Sequence, residues 1–311
     1  MRIGGTNISW QKAALLFILC FTLALINLHL KLIKTPSWFN GNLVLMHKLL
    51  MLFWYTNNEQ SRILQFFIPE FFIRSLDVSI ITAYVIQRLL FTTITIYLFF
   101  YFSLKWLSQR QAALCIILYA CIMPFTYKDH LQESAALMSL TFLIALWMIR
   151  ERKDYWFMLV LAIGGMNNET TLFLPAAYFF YRYKDKKSII PLGIRTVLLA
   201  VPAYAVVGII RYINRNQPHL GGAWHLPDNL ANLDKLFMIY HLFWILPFFF
   251  FKKKDQFIQR MLLVMPLFII PHLITGVIKE TRQMLPLAFV IIPASILTII
   301  EWRKRHKTEL K

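Results

Sequence analysis

The run Ala13–Leu30, AALLFILCFTLALINLHL, contains no Asp, Glu, Lys or Arg, and comparable runs recur along the whole chain. Runs near the roughly 20 residues needed to cross the hydrocarbon layer as a helix constrain the fold more than any motif does. The expected fold is all-α: a polytopic transmembrane helix bundle. Composition agrees. Hydrophobic residues make up 58% and charged residues 15%, against about 25% charged in a soluble domain. Residues 1–311 read as a single transmembrane domain with no room for a separate soluble one. Candidate spans fall at 13–30, 79–104, 111–126, 134–149, 155–166, 170–181, 196–210, 236–251, 261–277 and 284–302, about ten in all.

The formal net charge of +18 would point to nucleic acid on a soluble protein. Here its placement matters more. With both termini on the cytoplasmic side, most Lys and Arg fall in inner loops such as RYKDKK, FKKKD and RKRHK, as membrane insertion favours. Orientation therefore accounts for the charge, and no nucleic-acid partner is expected. The first span lacks a small-residue cleavage site after it and reads as an uncleaved anchor. The expected partner is the lipid bilayer of a multi-pass integral membrane protein.

The stretch GGMNNETTLFLP (Gly164–Pro175) tests this orientation. A single long span over 155–181 would turn every later basic loop outward. Two short helices keep the charge bias. A helix of about thirteen residues rises only about 20 Å, short of the roughly 30 Å layer. The turn at Asn167–Glu169 should then lie below the outer surface, where irregular polar backbone needs protein or a water-filled cavity around it.

This topology gathers the unusual residues outside. The segment 31–78 carries two amphipathic pieces, NLVLMHKLLMLFWY and ILQFFIPEFFIRSL, which suit helices lying in the membrane interface. Between them lie Glu59 and Arg62. The next outer loop holds Lys128, Asp129, His130 and Glu133. Then come Asn167, Asn168 and Glu169, and finally Lys279, Glu280 and Arg282. Ionisable residues at membrane depth mark substrate paths. Carboxylates (Glu169, Glu280, Glu59, Asp129) can deprotonate an acceptor hydroxyl. Cations and polar groups (Arg282, Arg62, Lys128, His130, Asn167, Asn168, Lys279) can hold a phosphate.

The bland reading is that loop tips only meet water, and that Glu169 and Glu280 favour helix N-termini, with Asn168 as a cap. The pattern E-T-x-x-x-L-P-x-A-aromatic occurs twice, at Glu169–Tyr178 and Glu280–Phe289. It reads as a shared helix start or as a relic of duplication, with Pro175 and Pro286 kinking their helices. Arg88, inside a span, needs a buried partner or a cage of carbonyls. His219 and His225 have no third ligand, the cysteines Cys20, Cys115 and Cys121 lie in apolar runs, and no metal or cofactor is expected.

This layout resembles the GT-C class of membrane glycosyltransferases. More closely, it resembles bacterial polytopic membrane proteins with an R-x-L-x-P-like element in the first loop, an Asn-Arg-Glu-Thr-like element mid-chain and an E-x-R-x-x-L-P-like element before the last span. The counterparts here are SRILQFFIP (Ser61–Pro69), NNET (Asn167–Thr170) and ETRQMLP (Glu280–Pro286). The resemblance implies a bacterial cytoplasmic membrane, a polyprenyl-phosphate-linked sugar as donor, and a glycan or lipid as acceptor. The sequence departs from the class in two places. No acid stands just after the first span, the first in the chain being Glu59, and Asn168 stands where the resembling proteins have Arg. A transporter or flippase for a lipid-linked or small polar solute, and a non-catalytic membrane scaffold, are the competing expectations.

Overall fold

The structure, a computed structural model, describes residues 2–3, 6–7, 10–36, 41–54, 58–128, 133–216 and 224–309. Among them the architecture is all-α, apart from a two-residue antiparallel pairing of Arg2–Ile3 with Thr6–Asn7. The helices are α1 (Trp10–Lys34), α2 (Asn42–Met51), α3 (Leu64–Leu76), α4 (Ile80–Ser103), α5 (Gln109–Ile122), α6 (Ser134–Arg150) and α7 (Asp154–Asn167). After these come α8 (Leu174–Arg182), α9 (Ile189–Ile213), α10 (Leu226–Leu230), α11 (Leu233–Tyr240), α12 (Gln256–Thr275) and α13 (Ala288–Glu309). Five are long and apolar enough to cross a membrane, α9 and α13 counted with the 3-10 turns before them. Of these five, α13 is the most enclosed, and α1 and α9 show most of their surface.

Local chemistry sets several boundaries. Ser79 accepts a hydrogen bond from the Thr82 backbone N–H at 3.2 Å and starts α4. Ser108 and Gln111 form a capping box on α5. Asp255 accepts from the Phe257 N–H at 2.9 Å and starts α12. Each cap satisfies a backbone donor that the first helical turn leaves without a partner.

The core runs through α4, α5, α6, α8, α12 and α13, with Phe99, Tyr119 and Phe289 in mutual ring contact. A smaller cluster of Leu28, Leu43, Leu50, Phe66 and Tyr84 docks α2 and α3 against α1 and α4.

Residues 154–182 fold back on themselves. Asp154, at the start of α7, accepts a hydrogen bond from Tyr178 Oη at 2.9 Å and pairs with Arg182 at 3.7 Å, both in α8. Phe157 stacks on Tyr178 with centroids 5.3 Å apart. At the other end of the hairpin, Gly164 packs against Thr171 so closely that a Cβ would sit 2.8 Å from the Thr171 methyl carbon. A single helix over 155–181 does not form.

Two sequence expectations are corrected. Residues 236–251 do not make one continuous helix. After α11 the chain takes a positive φ at His241 and continues as short 3-10 turns, with Pro247 in the second. Proline cannot donate to a helical ladder. Carbonyls released by the break find side-chain donors, with Thr298 Oγ1 reaching Leu246 O at 2.8 Å and Lys254 Nζ reaching Phe249 O. Pro175 and Pro286 do not kink α-helices either. Pro175 sits in the first turn of α8, and Pro286 sits in the 3-10 turn before α13. In the first turn of α8 the missing N–H of Pro175 costs nothing. The two sequence echoes take the same local form, a 3-10 turn running into an α-helix (Glu169–Phe173 into α8, Thr281–Leu287 into α13).

Helix ends meet in two separated sets. One set joins Lys105 to Glu151, Asp154 to Arg182 and Arg195, and Lys253 to Glu301. The other joins Arg62 to Glu169, Arg211 to Glu169, and Asn229 to Leu273 and Gly276.

Candidate functional site

At the second set of helix ends, five acidic and basic side chains form one chain of contacts. Glu169 Oε2 accepts from Arg62 Nε at 3.3 Å. Arg62 Nη1 donates to Glu59 Oε1 at 2.5 Å. The same Glu59 oxygen accepts from Arg282 Nη2 at 3.3 Å, and Arg282 Nη2 also donates to Glu280 Oε2 at 2.9 Å. Arg211, from the end of α9, adds a sixth member through Glu169 Oε1 at 3.4 Å. Four segments far apart in sequence thus supply one network. Both copies of the E-T-x-x-x-L-P-x-A-aromatic pattern contribute their acid to it.

Burial and charge act together here. Burial alone would push the Arg62 guanidinium toward neutrality, but Glu59, Glu169 and Glu280 raise its pKa above the usual arginine value. Burial raises the Glu169 carboxyl, and the opposing pull of Arg62 and Arg211 is larger, so its pKa lies below the ordinary carboxylate value. Glu169 is therefore an anion that holds cations in place and a weak proton acceptor. Glu59 is buried, and its second oxygen, Oε2, has no hydrogen-bond partner among the described residues.

A cavity of about 400 Å³ opens beside the network, with Arg62, Glu169, Arg211, Tyr204, His272 and Gln283 in its wall. Arg211 has 58% of its side chain exposed, so one guanidinium is available to an incoming anion. His272 Nδ1–H donates to the Phe268 carbonyl at 2.7 Å, which leaves Nε2 facing the Thr170 hydroxyl at 3.5 Å. That nitrogen keeps its lone pair toward a neutral hydroxyl, whereas Glu169 in the same wall is engaged by two arginines. Tyr204 is shared with a second, apolar cavity of about 390 Å³ along the outer face of α8 and α9, walled by Pro175, Val197, Ala200 and Val201. Tyr204 therefore stands in the wall of both the polar chamber and an apolar groove on the side of the bundle.

The residues expected from sequence divide as follows. Glu59, Arg62, Glu169, Glu280 and Arg282 come together. Asn168 lines the cavity but acts as a cap, accepting from the Thr170 N–H at 3.0 Å. Asn167 is fully buried and donates to the Ser134 carbonyl at 2.9 Å, so it positions α6 rather than a ligand. Glu169 and Glu280 do not cap their turns with their side chains; they bind arginines. The Lys128 ammonium is half-buried near Glu280, and burial lowers its pKa. Lys279 is exposed. Asp129 and His130 lie outside the described residues. Arg211, His272 and Tyr204 were not among the expected residues. A histidine inside the apolar run LFIIPHLI was the available signal for His272.

Arg88 finds its partner in Glu133, 2.9 Å away, with both side chains buried and the guanidinium over the Tyr127 ring. Among the described residues, no group of three His, Cys, Asp or Glu side chains is arranged to hold a metal ion. No family model, curated protein or solved structure matches this chain.

Proposed function

We propose that this chain is a multi-pass membrane protein that transfers a sugar from a polyprenyl-phosphate-linked donor on the outer side of the membrane, in the manner of the GT-C class. One observation carries the reading: the Glu169–Arg62–Glu59–Arg282–Glu280 network flanks a chamber that shares its wall residue Tyr204 with an apolar groove. A lipid phosphate donor needs both parts. The groove takes the hydrocarbon chain, and Arg211 and Arg62 offer forked donors to the phosphate. His272 Nε2 accepts the proton of the acceptor hydroxyl while the carboxylates keep the arginines in register.

In this reading the chain crosses the membrane about ten times, with both termini inside. The segment from α11 to Lys254 makes one crossing in broken form, and α2 and α3 lie in the outer interface. Glu169 sits below the outer surface because α7 has 14 residues, about 21 Å of rise.

The test replaces Glu169 by Gln, Glu280 by Gln, Arg282 by Lys and His272 by Asn, one at a time, in cells matched for protein level. Cell-surface glycans are profiled, and the purified proteins are assayed for release of polyprenyl phosphate from a labelled donor. Each variant is expected to lose product. Wild-type glycans and wild-type release in all four would falsify the transferase reading.

A second reading, a flippase for the same lipid-linked solute, draws on the order of cavities along α9. The polar chamber reaches Arg211 and Tyr204, the apolar groove spans Thr196–Tyr204, and a basic pocket lies at Pro191–Arg195. Movement of the intact lipid across reconstituted vesicles, without cleavage, would favour it.

A further inference from the structure

At the end of the bundle opposite Glu169 lies a cavity of about 370 Å³ whose wall includes Arg152, Arg182, Lys184, Ser188, Arg195 and Gln256. We propose that it binds the phosphate-bearing headgroup of an anionic phospholipid.

The cations are arranged as well as numerous. Arg182 and Arg195 both meet Asp154, the first at 3.7 Å, and the Arg182 guanidinium lies over the Tyr178 ring at 5.6 Å. One buried carboxylate thus orients two guanidiniums. The wall carries four basic side chains, of which Asp154 pairs with two, and the excess positive charge is sized for a phosphate.

The neighbouring surface names the source of the phosphate. From the pocket outward, α9 exposes Ile190, Ile194, Val197 and Leu198, and α7 exposes Tyr155 and Trp156. Tyr and Trp beside aliphatic side chains mark a lipid-facing boundary between headgroups and acyl chains. A headgroup held by Arg152 and Arg195 lays its acyl chains on that apolar surface, whereas free phosphate would leave the surface unused. Basic pockets between membrane helices recognise lipid headgroups in this way. The site stands apart from the transferase reading, because none of the pocket's cations belongs to the Glu169 network.

The experiment uses the full chain, purified and delipidated in neutral detergent. Phosphatidylglycerol, phosphatidylcholine and inorganic phosphate are titrated separately and followed by native mass spectrometry. Phosphatidylglycerol is expected to bind at least about tenfold more tightly than phosphatidylcholine. The double change Arg152→Gln/Arg195→Gln is expected to lower its affinity by about ten- to thirtyfold. Arg215→Gln, at the far end, is expected to leave it unchanged and controls for overall charge. If the double variant does not fold, the exposed single changes Arg152→Gln and Lys184→Gln carry the same comparison. Equal binding of the two lipids by the wild-type chain overturns the proposal. So does unchanged selectivity in folded variants, or inorganic phosphate binding as tightly as phosphatidylglycerol.

Discussion

Arg88 and Glu133 show how costly an unmatched charge is in this protein. Both side chains are buried, 2.9 Å apart. Removing one partner from such a pair leaves the other charged and dry, at a cost of about 3–5 kcal/mol, whereas replacing both with apolar groups of similar size is close to neutral. Glu133→Leu is therefore expected to lower stability by about that amount, and Arg88→Met/Glu133→Leu to recover most of it. Thermal unfolding in detergent checks both; equal losses in the single and double variants would sink the argument. His47 offers a pH-dependent counterpart. Its ring is buried between Tyr84 and Glu70, at 3.1 Å from each. Burial lowers its pKa from 6.5 despite the pull of Glu70. A folded pKa below the unfolded one means the unfolded chain binds the proton first, so stability is full above 6.5 and falls as pH drops through and below it. Between about pH 8 and about pH 5, the wild-type unfolding temperature is expected to drop more than that of His47→Gln. Parallel slopes would remove His47 from the account.

At the scale of elements, the α7–α8 hairpin decides where Glu169 sits. Its tight turn depends on Gly164, where an added Cβ would come 2.8 Å from Thr171. Gly164→Val is expected to cost about 1–3 kcal/mol through overpacking, read as a lowered unfolding temperature; an unchanged temperature would mean that the turn tolerates the extra volume. The hairpin was legible in the sequence because one long span would have reversed the charge bias of every later loop. The break in 236–251 was not legible. Its apolar residues satisfy any hydropathy window, whereas the break starts at His241 and its freed carbonyls are taken up by Lys254 nearby and by Thr298, distant in sequence. Asn167 misled for a related reason. A polar residue in an apolar run signals a buried hydrogen bond as readily as a ligand contact, and here the partner is Ser134 O.

For the whole molecule, the sidedness of the two sets of helix ends is the proposal most exposed to a direct test. Cys121 is exposed and would be changed to serine first. In that background, cysteine replacing Lys279 is expected to react with a membrane-impermeant maleimide in intact cells, and cysteine replacing Lys187 only after permeabilisation. The reverse pattern would invert the orientation and move the Glu169 chamber to the inner side. By itself the sequence determined the all-α class, the short helices on either side of Glu169 and the list of acids and arginines worth watching. These follow from hydropathy and charge bias, which act on local stretches of chain. Only the tertiary structure decided that Glu59 bridges Arg62 and Arg282, that Arg211 and His272 join the chamber, and that Tyr204 borders both the chamber and an apolar groove. Those facts depend on side chains that meet from positions 42 to 223 residues apart, where buried charges accept whichever opposite charge the packing of the helices brings within reach.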